Sequence, residues 1–116
     1  MKILMIVNDA PYGIERTYNA LRIAGALAKR DGVELKIFLM GDAVVAAKAG
    51  QVVPAGYYNA QVMLGGPIKR GAAVGVCGTC MAARAVQENA LAEGAHKSNM
   101  EELTDWILWA DKVIAY

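Results

Sequence analysis

The chain has 116 residues, the length of one ordinary domain, and a domain of that size buries about two thirds of its unfolded surface without needing a disulfide or metal staple. It is 56% apolar and 20% charged, with 12 basic residues against 11 acidic ones and a net charge of +1. No basic stripe points to nucleic acid, no basic amphipathic helix to a membrane surface, and no apolar run reaches the length of a membrane span. So high an apolar fraction implies a sheet covered on both faces and a surface partly sealed in an oligomer.

Lys2–Asn8 (KILMIVN) is an apolar run dense in β-branched residues, the pattern of a strand buried on both faces of a parallel sheet. The run Ile3 to Val7 is too short for the apolar core of a signal peptide. After the turn-rich Asp9–Gly13, the spacing of Ile14, Tyr18, Leu21, Gly25 and Ala28 predicts a helix over 14–30 with that face inward, and Gly32 stands just past its end. Val33–Met40 reads as a second strand. Asp42 is placed to cap a short helix over 43–49 that Gly50 stops.

A third helix is expected from about Tyr57, kinked or ended at Gly65–Gly66–Pro67 because proline lacks an N–H and disfavours helix before it. Ala72–Cys77 reads as the third strand, Cys80–Glu88 as helix and Leu91–Ala95 as a short fourth strand. Ser98 and Glu101 form a capping box, opening a last helix with Leu103, Trp106, Ile107 and Ala110 inward. Lys112–Tyr116 is a final strand. This alternation predicts a single-domain α/β fold: a mostly parallel, five-stranded sheet with helices on both faces.

The only two cysteines, Cys77 and Cys80, stand three residues apart where a strand runs into a helix. That is no disulfide framework of a secreted protein, so a reducing cytoplasm with two free thiols is expected. Gly78 permits the sharp turn, and helix N–H groups would face the sulfurs. A free thiol with a pKa near about 8.5 is about 3% ionised at neutral pH, and lowering it to about 7 takes about 2 kcal/mol of differential stabilisation. Arg84, one turn beyond Cys80, can add to that.

Three chemistries compete: a persulfide or mixed disulfide on one cysteine, dithiol–disulfide exchange, and a zinc site. The chain offers only His96 as a third ligand, so zinc would have to bridge subunits. The bland alternative is two small buried hydrophobes.

In an open parallel sheet, sites form outside the carboxyl ends of the strands. Asn8–Gly13, Gly41–Asp42 and Cys77–Cys80 all follow strands, which puts Asn8, Tyr12, Glu15, Asp42 and Thr79 on the same edge as the thiols. Each has an ordinary reading too: a turn or cap for Asn8 and Asp42, packing for Tyr12, dipole complementation for Glu15. His96 reads as a surface histidine. Trp106, Leu108 and Trp109 widen the last helix's apolar face toward either deep burial or a subunit interface.

Five blocks in order carry a resemblance: APYG after the first strand, the helix TYNALRIAGAL, FLMGDAV after the second strand, CGTCMAAR after the third, and the terminal LTDWILWADKVIAY. With them the chain resembles the DsrE/DsrF-like sulfur-relay family over its whole length, and most closely the YchN-like branch. The resemblance implies a flavodoxin-like sheet, a trimeric or hexameric homo-oligomer and no dissociable organic cofactor. It also implies sulfur carried as a cysteine persulfide between donor and acceptor proteins. The family's carrier cysteine closes the third strand about seven residues before an Arg-Gly, a position Cys77 matches relative to Arg84, while Cys80 matches the second cysteine of the YchN-like branch. Ala85 departs from the glycine usual after that arginine, and Gly65–Gly66–Pro67 interrupts a helix that relatives usually continue.

The functional expectation is a sulfur-relay protein with Cys77 as persulfide carrier and Cys80 as partner thiol. Its rivals are an oligomeric small-ligand-binding module and a thiol–disulfide oxidoreductase using the same pair.

Overall fold

The computed structural model describes residues 1–116. The chain order is β1 (Lys2–Val7), α1 (Arg16–Ala28), β2 (Glu34–Leu39), a 3-10 segment (Gly41–Ala47), α2 (Ala60–Lys69), β3 (Ala73–Cys77) and α3 (Gly78–Ala83). A 3-10 turn (Glu88–Ala90), β4 (Ala95–Ser98), α4 (Met100–Trp109) and β5 (Lys112–Ala115) complete it.

All five strands are parallel, in the order β4-β3-β2-β1-β5. Right-handed crossovers from β1 through β4 step in one direction, and the return from β4 to β5 puts α4 on the opposite face. Strand alternation supplies each face with its own apolar set. Met5, Val7, Ile37, Leu39, Val74 and Val76 share one face and are all fully buried. Leu4, Phe38 and Gly75 share the other, under α4. There Trp106 meets Phe38 edge-on, with ring centroids 6.1 Å apart. A Cβ on Gly75 would stand 3.1 Å from Trp106 and 3.2 Å from Phe38, so the bare glycine is what lets the indole lie on the sheet.

The strands sit within a few residues of expectation, except the fourth. β4 is Ala95–Ser98 rather than 91–95, and Leu91 makes only an isolated antiparallel bridge to Lys48. Because the ladder pairs Ser98 with Cys77, the start of α4 moves on by one. The cap is Asn99, whose side chain accepts the Glu102 amide at 2.9 Å, rather than the expected Ser98–Glu101 box. Ser98 donates its hydroxyl to Glu102 Oε1 at 2.7 Å instead. On α4, Leu103 and Trp106 are buried as expected, but Ile107 is 42% exposed and Ala110 lies past the helix end.

Three helices differ further. α1 buries Thr17, Ala20, Leu21 and Ala24, a face rotated from the expected one, because the Thr17 hydroxyl anchors to the Asp9 carbonyl at 2.5 Å and leaves Ile14 half exposed. α2 starts at Ala60, capped by Asn59, and runs straight through Gly65–Gly66–Pro67. Pro67 lies in its last turn, so a single ladder bond is lost, and its carbonyl takes the amides of Arg70 and Ala72, each at 3.0 Å. α3 ends at Ala83, five residues before the expected Glu88, because Ala85 takes the left-handed conformation at φ 54° and turns the chain so that the Val86 amide returns to the Met81 carbonyl.

Candidate functional site

The register aligns Val7 with Leu39, Leu39 with Val76 and Cys77 with Ser98, so the loops after β1 to β4 open on one sheet edge. Cys77 ends β3 there and caps α3 with its own sulfur: Sγ accepts the Cys80 amide at 3.4 Å and lies 3.3 Å from the Thr79 hydroxyl. Cys77 is 3% exposed, whereas Cys80, on the first turn of α3, is partly open to solvent. Neither thiol is in a disulfide, and no further His, Cys or carboxylate joins them to make a metal cluster.

The two thiols differ in acidity. Burial pushes Cys77 up, but the hydrogen bonds it accepts from the Cys80 thiol, the Thr79 hydroxyl and the amides of Cys80 and Thr79 outweigh it, and the net shift is downward. Burial pushes Cys80 up as well. Its bond to Cys77 and the charge there add to this, against the opposing pull of the Gly41 amide and the Arg84 guanidinium, and the net shift is upward. The pair therefore loses its first proton from Cys77 and keeps the second on Cys80.

Asp42 does not cap a helix: the 3-10 segment opens at Met40 with no side-chain cap bond. It pairs instead with Arg84, Nε to Oδ1 at 2.8 Å, while Arg84 Nη1 donates to the Cys80 carbonyl at 3.2 Å. Beside it, Gly41 sits at φ 56°, and a Cβ there would stand 2.9 Å from the Asn8 carbonyl oxygen. Only a glycine lets the second loop tuck against the first with its amide turned toward Cys80.

Of the remaining candidates, Gly78 and Thr79 lie at the thiols. Asn8 reaches them only through that contact with Gly41; its side chain donates to the Tyr116 carbonyl at 2.9 Å and fastens the end of the chain. Tyr12 stands away from the sulfurs. Its hydroxyl donates to Gln51 Oε1 and accepts the Ala60 amide at 3.0 Å, and its ring stacks on Tyr58, which stacks in turn on Tyr18. Glu15 is an exposed residue at the head of α1, where its charge joins burial and the neighbouring tyrosines in raising the Tyr58 hydroxyl.

Lys97 and Gln51 shape the site without a signal in the sequence. Lys97 belongs to β4, and its stem crosses Gly78: a Cβ there would meet Lys97 Cε at 2.9 Å. Gln51 donates to the carbonyls of Ala46 and Lys48 at 2.9 Å each and so holds the far end of the 3-10 segment that carries Gly41 and Asp42. His96 faces Glu102 and the edge of Trp106, at a ring distance of 5.9 Å, on the α4 side of the sheet. No helix is long and apolar enough to cross a membrane.

The sequence matches the model of the DsrE/DsrF-like family over residues 1–116. It is 39% identical to the protein YchN of Escherichia coli K12 over 99% of this chain and 98% of that one. It is also 40% identical to an uncharacterized protein of Methanocaldococcus jannaschii over the full length of both. The crystal structure of the E. coli YchN protein superposes with a TM-score of 0.93 over 99% of this chain and 98% of that one. A protein of unknown function from Methanobacterium thermoautotrophicum, 12% identical, shares the fold at a TM-score of 0.74.

Proposed function

The chain belongs to the DsrE/DsrF-like family, which is associated with sulfur relay, and on that premise we propose that it carries sulfane sulfur as a persulfide on Cys77, with Cys80 as partner thiol. The observation that supports this most is the set of donors around Cys77 Sγ, the Cys80 amide at 3.4 Å and the Thr79 hydroxyl at 3.3 Å. Donors placed on a sulfur favour its anion, and the thiolate is the nucleophile in sulfur transfer. Cys77 thiolate takes up the outer sulfur of a persulfide, whose inner sulfur leaves as a thiolate, and the sulfur passes on when an acceptor nucleophile attacks it.

The placement of two free thiols on one turn, with the Cys80 amide on the Cys77 sulfur at 3.4 Å, also favours a second reading, a dithiol–disulfide couple. Intact mass spectrometry after incubation with glutathione persulfide separates the readings. Gain of one sulfur atom per chain supports the carrier, loss of two hydrogens supports the disulfide, and an unchanged mass would leave a small-ligand-binding module.

The same proposal includes a homo-oligomer working in a reducing cytoplasm with protein donors and acceptors of sulfur. Its support is the apolar surface left on α4 and the edge strand β5, where Leu108 is 81%, Val113 44% and Ile107 42% exposed. Light scattering is expected to give a particle several times the 12.3 kDa chain mass, and a monomer at micromolar concentration would refute the oligomer.

A further inference from the structure

The thiol best set up to hold a sulfur anion is the one least able to meet a donor. Cys77 is 3% exposed, closed in by Thr79, by the first turn of α3 and by the β4 residue Ser98 paired with it. Cys80 stands outward of it and is partly open, with the Gly41 amide directed at its sulfur and Arg84 folded back onto its carbonyl at 3.2 Å. Attack on a persulfide needs the sulfur of the nucleophile, the sulfur attacked and the leaving sulfur nearly in line. A donor can present that line to Cys80, whereas Cys77 is reached past it.

We propose that sulfur enters this chain at Cys80 and is handed inward to Cys77, so that the two cysteines form an ordered intrachain relay. The proposal rests on the persulfide reading above and adds the order of transfer. Of the two thiols Cys77 is the one whose sulfur is held toward its anion, by the Cys80 amide at 3.4 Å and the Thr79 hydroxyl at 3.3 Å, which makes Cys77 the base for its neighbour.

In the first step the Cys80 proton moves to Cys77 and the Cys80 thiolate attacks the outer sulfur of a donor persulfide, R–S–SH. One S–S bond forms and one breaks, giving Cys80–S–SH and RS⁻. The departing thiolate takes the proton from Cys77. In the second step the Cys77 thiolate attacks the outer sulfur of Cys80–S–SH, giving Cys77–S–SH and a Cys80 thiolate, and the perthiol proton then passes to Cys80. The products are a Cys77 persulfide anion and a Cys80 thiol. A neutral sulfur atom has moved twice and no external oxidant or reductant is consumed. The Gly41 amide and the charge of Arg84 favour the thiolate that leaves in the second step, and the Thr79 hydroxyl and Cys80 amide lie on the sulfur that receives.

The test is rapid-quench loading with glutathione persulfide, followed by alkylation and peptide mapping of the sulfane sulfur at successive times. In the wild-type chain the label is expected first on Cys80 and later on Cys77. Cys77→Ser, assayed at alkaline pH where Cys80 ionises without its neighbour, is expected to hold the sulfur on Cys80. Cys80→Ser is expected to load Cys77 about tenfold more slowly or worse, because access limits exchange. Loading of Cys77 in Cys80→Ser at the wild-type rate overturns the relay and leaves the carrier standing. So does a Cys77→Ser chain that takes up no sulfur at any pH. If no form of the chain gains sulfur, the persulfide reading falls and the relay with it.

Discussion

Arg84 Nε lies 2.8 Å from Asp42 Oδ1, and this pair ties the end of α3 to the segment whose first residue offers its amide to Cys80. Asp42 is 64% exposed, so the pair adds little to folding stability; its consequence is electrostatic. Arg84 acts on Cys80, where it is among the influences lowering a net raised thiol. Arg84→Gln is therefore expected to move the Cys80 alkylation profile to higher pH, by a small step because solvent screens the pair, while the Cys77 profile stays in place. The pH dependence of labelling at each cysteine, read by peptide mapping, checks this. Equal movement of both profiles, or of neither, would contradict it.

Ala85 holds φ 54°, a left-handed backbone conformation that favours glycine. A left-handed alanine costs about 1–2 kcal/mol, and a glycine there gives back part of that gain through its freer unfolded chain. Ala85→Gly is expected to stabilise the fold by about 0.5–1 kcal/mol, seen as a higher urea midpoint at unchanged slope. Destabilisation would mean that the alanine methyl group contributes packing that offsets the strain.

The same residue shows where the sequence was legible. Runs such as KILMIV and AVGVC are buried from both faces, and a strand under that demand can only be apolar and β-branched, so the sheet and the position of Cys77 at its edge were readable. The end of α3 was not, because an alanine gives no stop signal, and the helix looked continuous to Glu88. The Ser98–Glu101 box lost to Asn99–Glu102 because the β3–β4 ladder claimed Ser98, a long-range demand that a four-residue motif does not contain. Shared loop edges brought Asp42 beside the thiol segment, where it meets the Arg84 that helical spacing had placed one turn beyond Cys80, but the same loop argument overreached for Tyr12 and Glu15. They follow β1 yet belong to the Tyr12–Tyr58–Tyr18 stack and the head of α1. Lys97 was out of reach once the fourth strand was placed too early.

Glu102 carries a pH signature of its own. Burial raises its carboxyl, but the bonds from His96 and Ser98, with the charges of His96 and Lys36, outweigh that and leave it below the usual carboxylate range. A depressed folded pKa contributes stability that is present above the unfolded value of about 4.3 and is lost as pH falls through the folded one. The side chain is 37% exposed, so screening limits the contribution to about 0.5 kcal/mol. Glu102→Gln is expected to lower the urea midpoint at pH 7 and to match the wild-type chain at pH 3. A deficit that persists at low pH would assign the effect to lost packing.

The two thiols should titrate in two steps, Cys77 before Cys80. Cys77 is lowered because the bonds it accepts from Cys80 and Thr79 outweigh its burial, and Cys80 is raised by burial and then by its bond to Cys77. Thiolate absorbance of the folded chain is therefore expected to rise once below the ordinary cysteine pKa of about 8.5 and again above it. Cys77→Ser removes the lower step. It also brings Cys80 back toward the ordinary value, since the neighbouring anion that opposed its ionisation is gone. Cys80→Ala leaves only Cys77, moved upward by the loss of the Cys80 thiol as donor, whereas Cys80→Ser, whose hydroxyl still donates, moves it less. Because a lowered thiol contributes stability that is present above its unfolded pKa and lost as pH falls through the folded one, the wild-type advantage over Cys77→Ser should grow as pH rises toward the unfolded value of about 8.5 and shrink in acid. A single step near the ordinary value in the wild-type chain would show that the donors around Cys77 do not hold an anion, and would remove the electrostatic basis for a persulfide there.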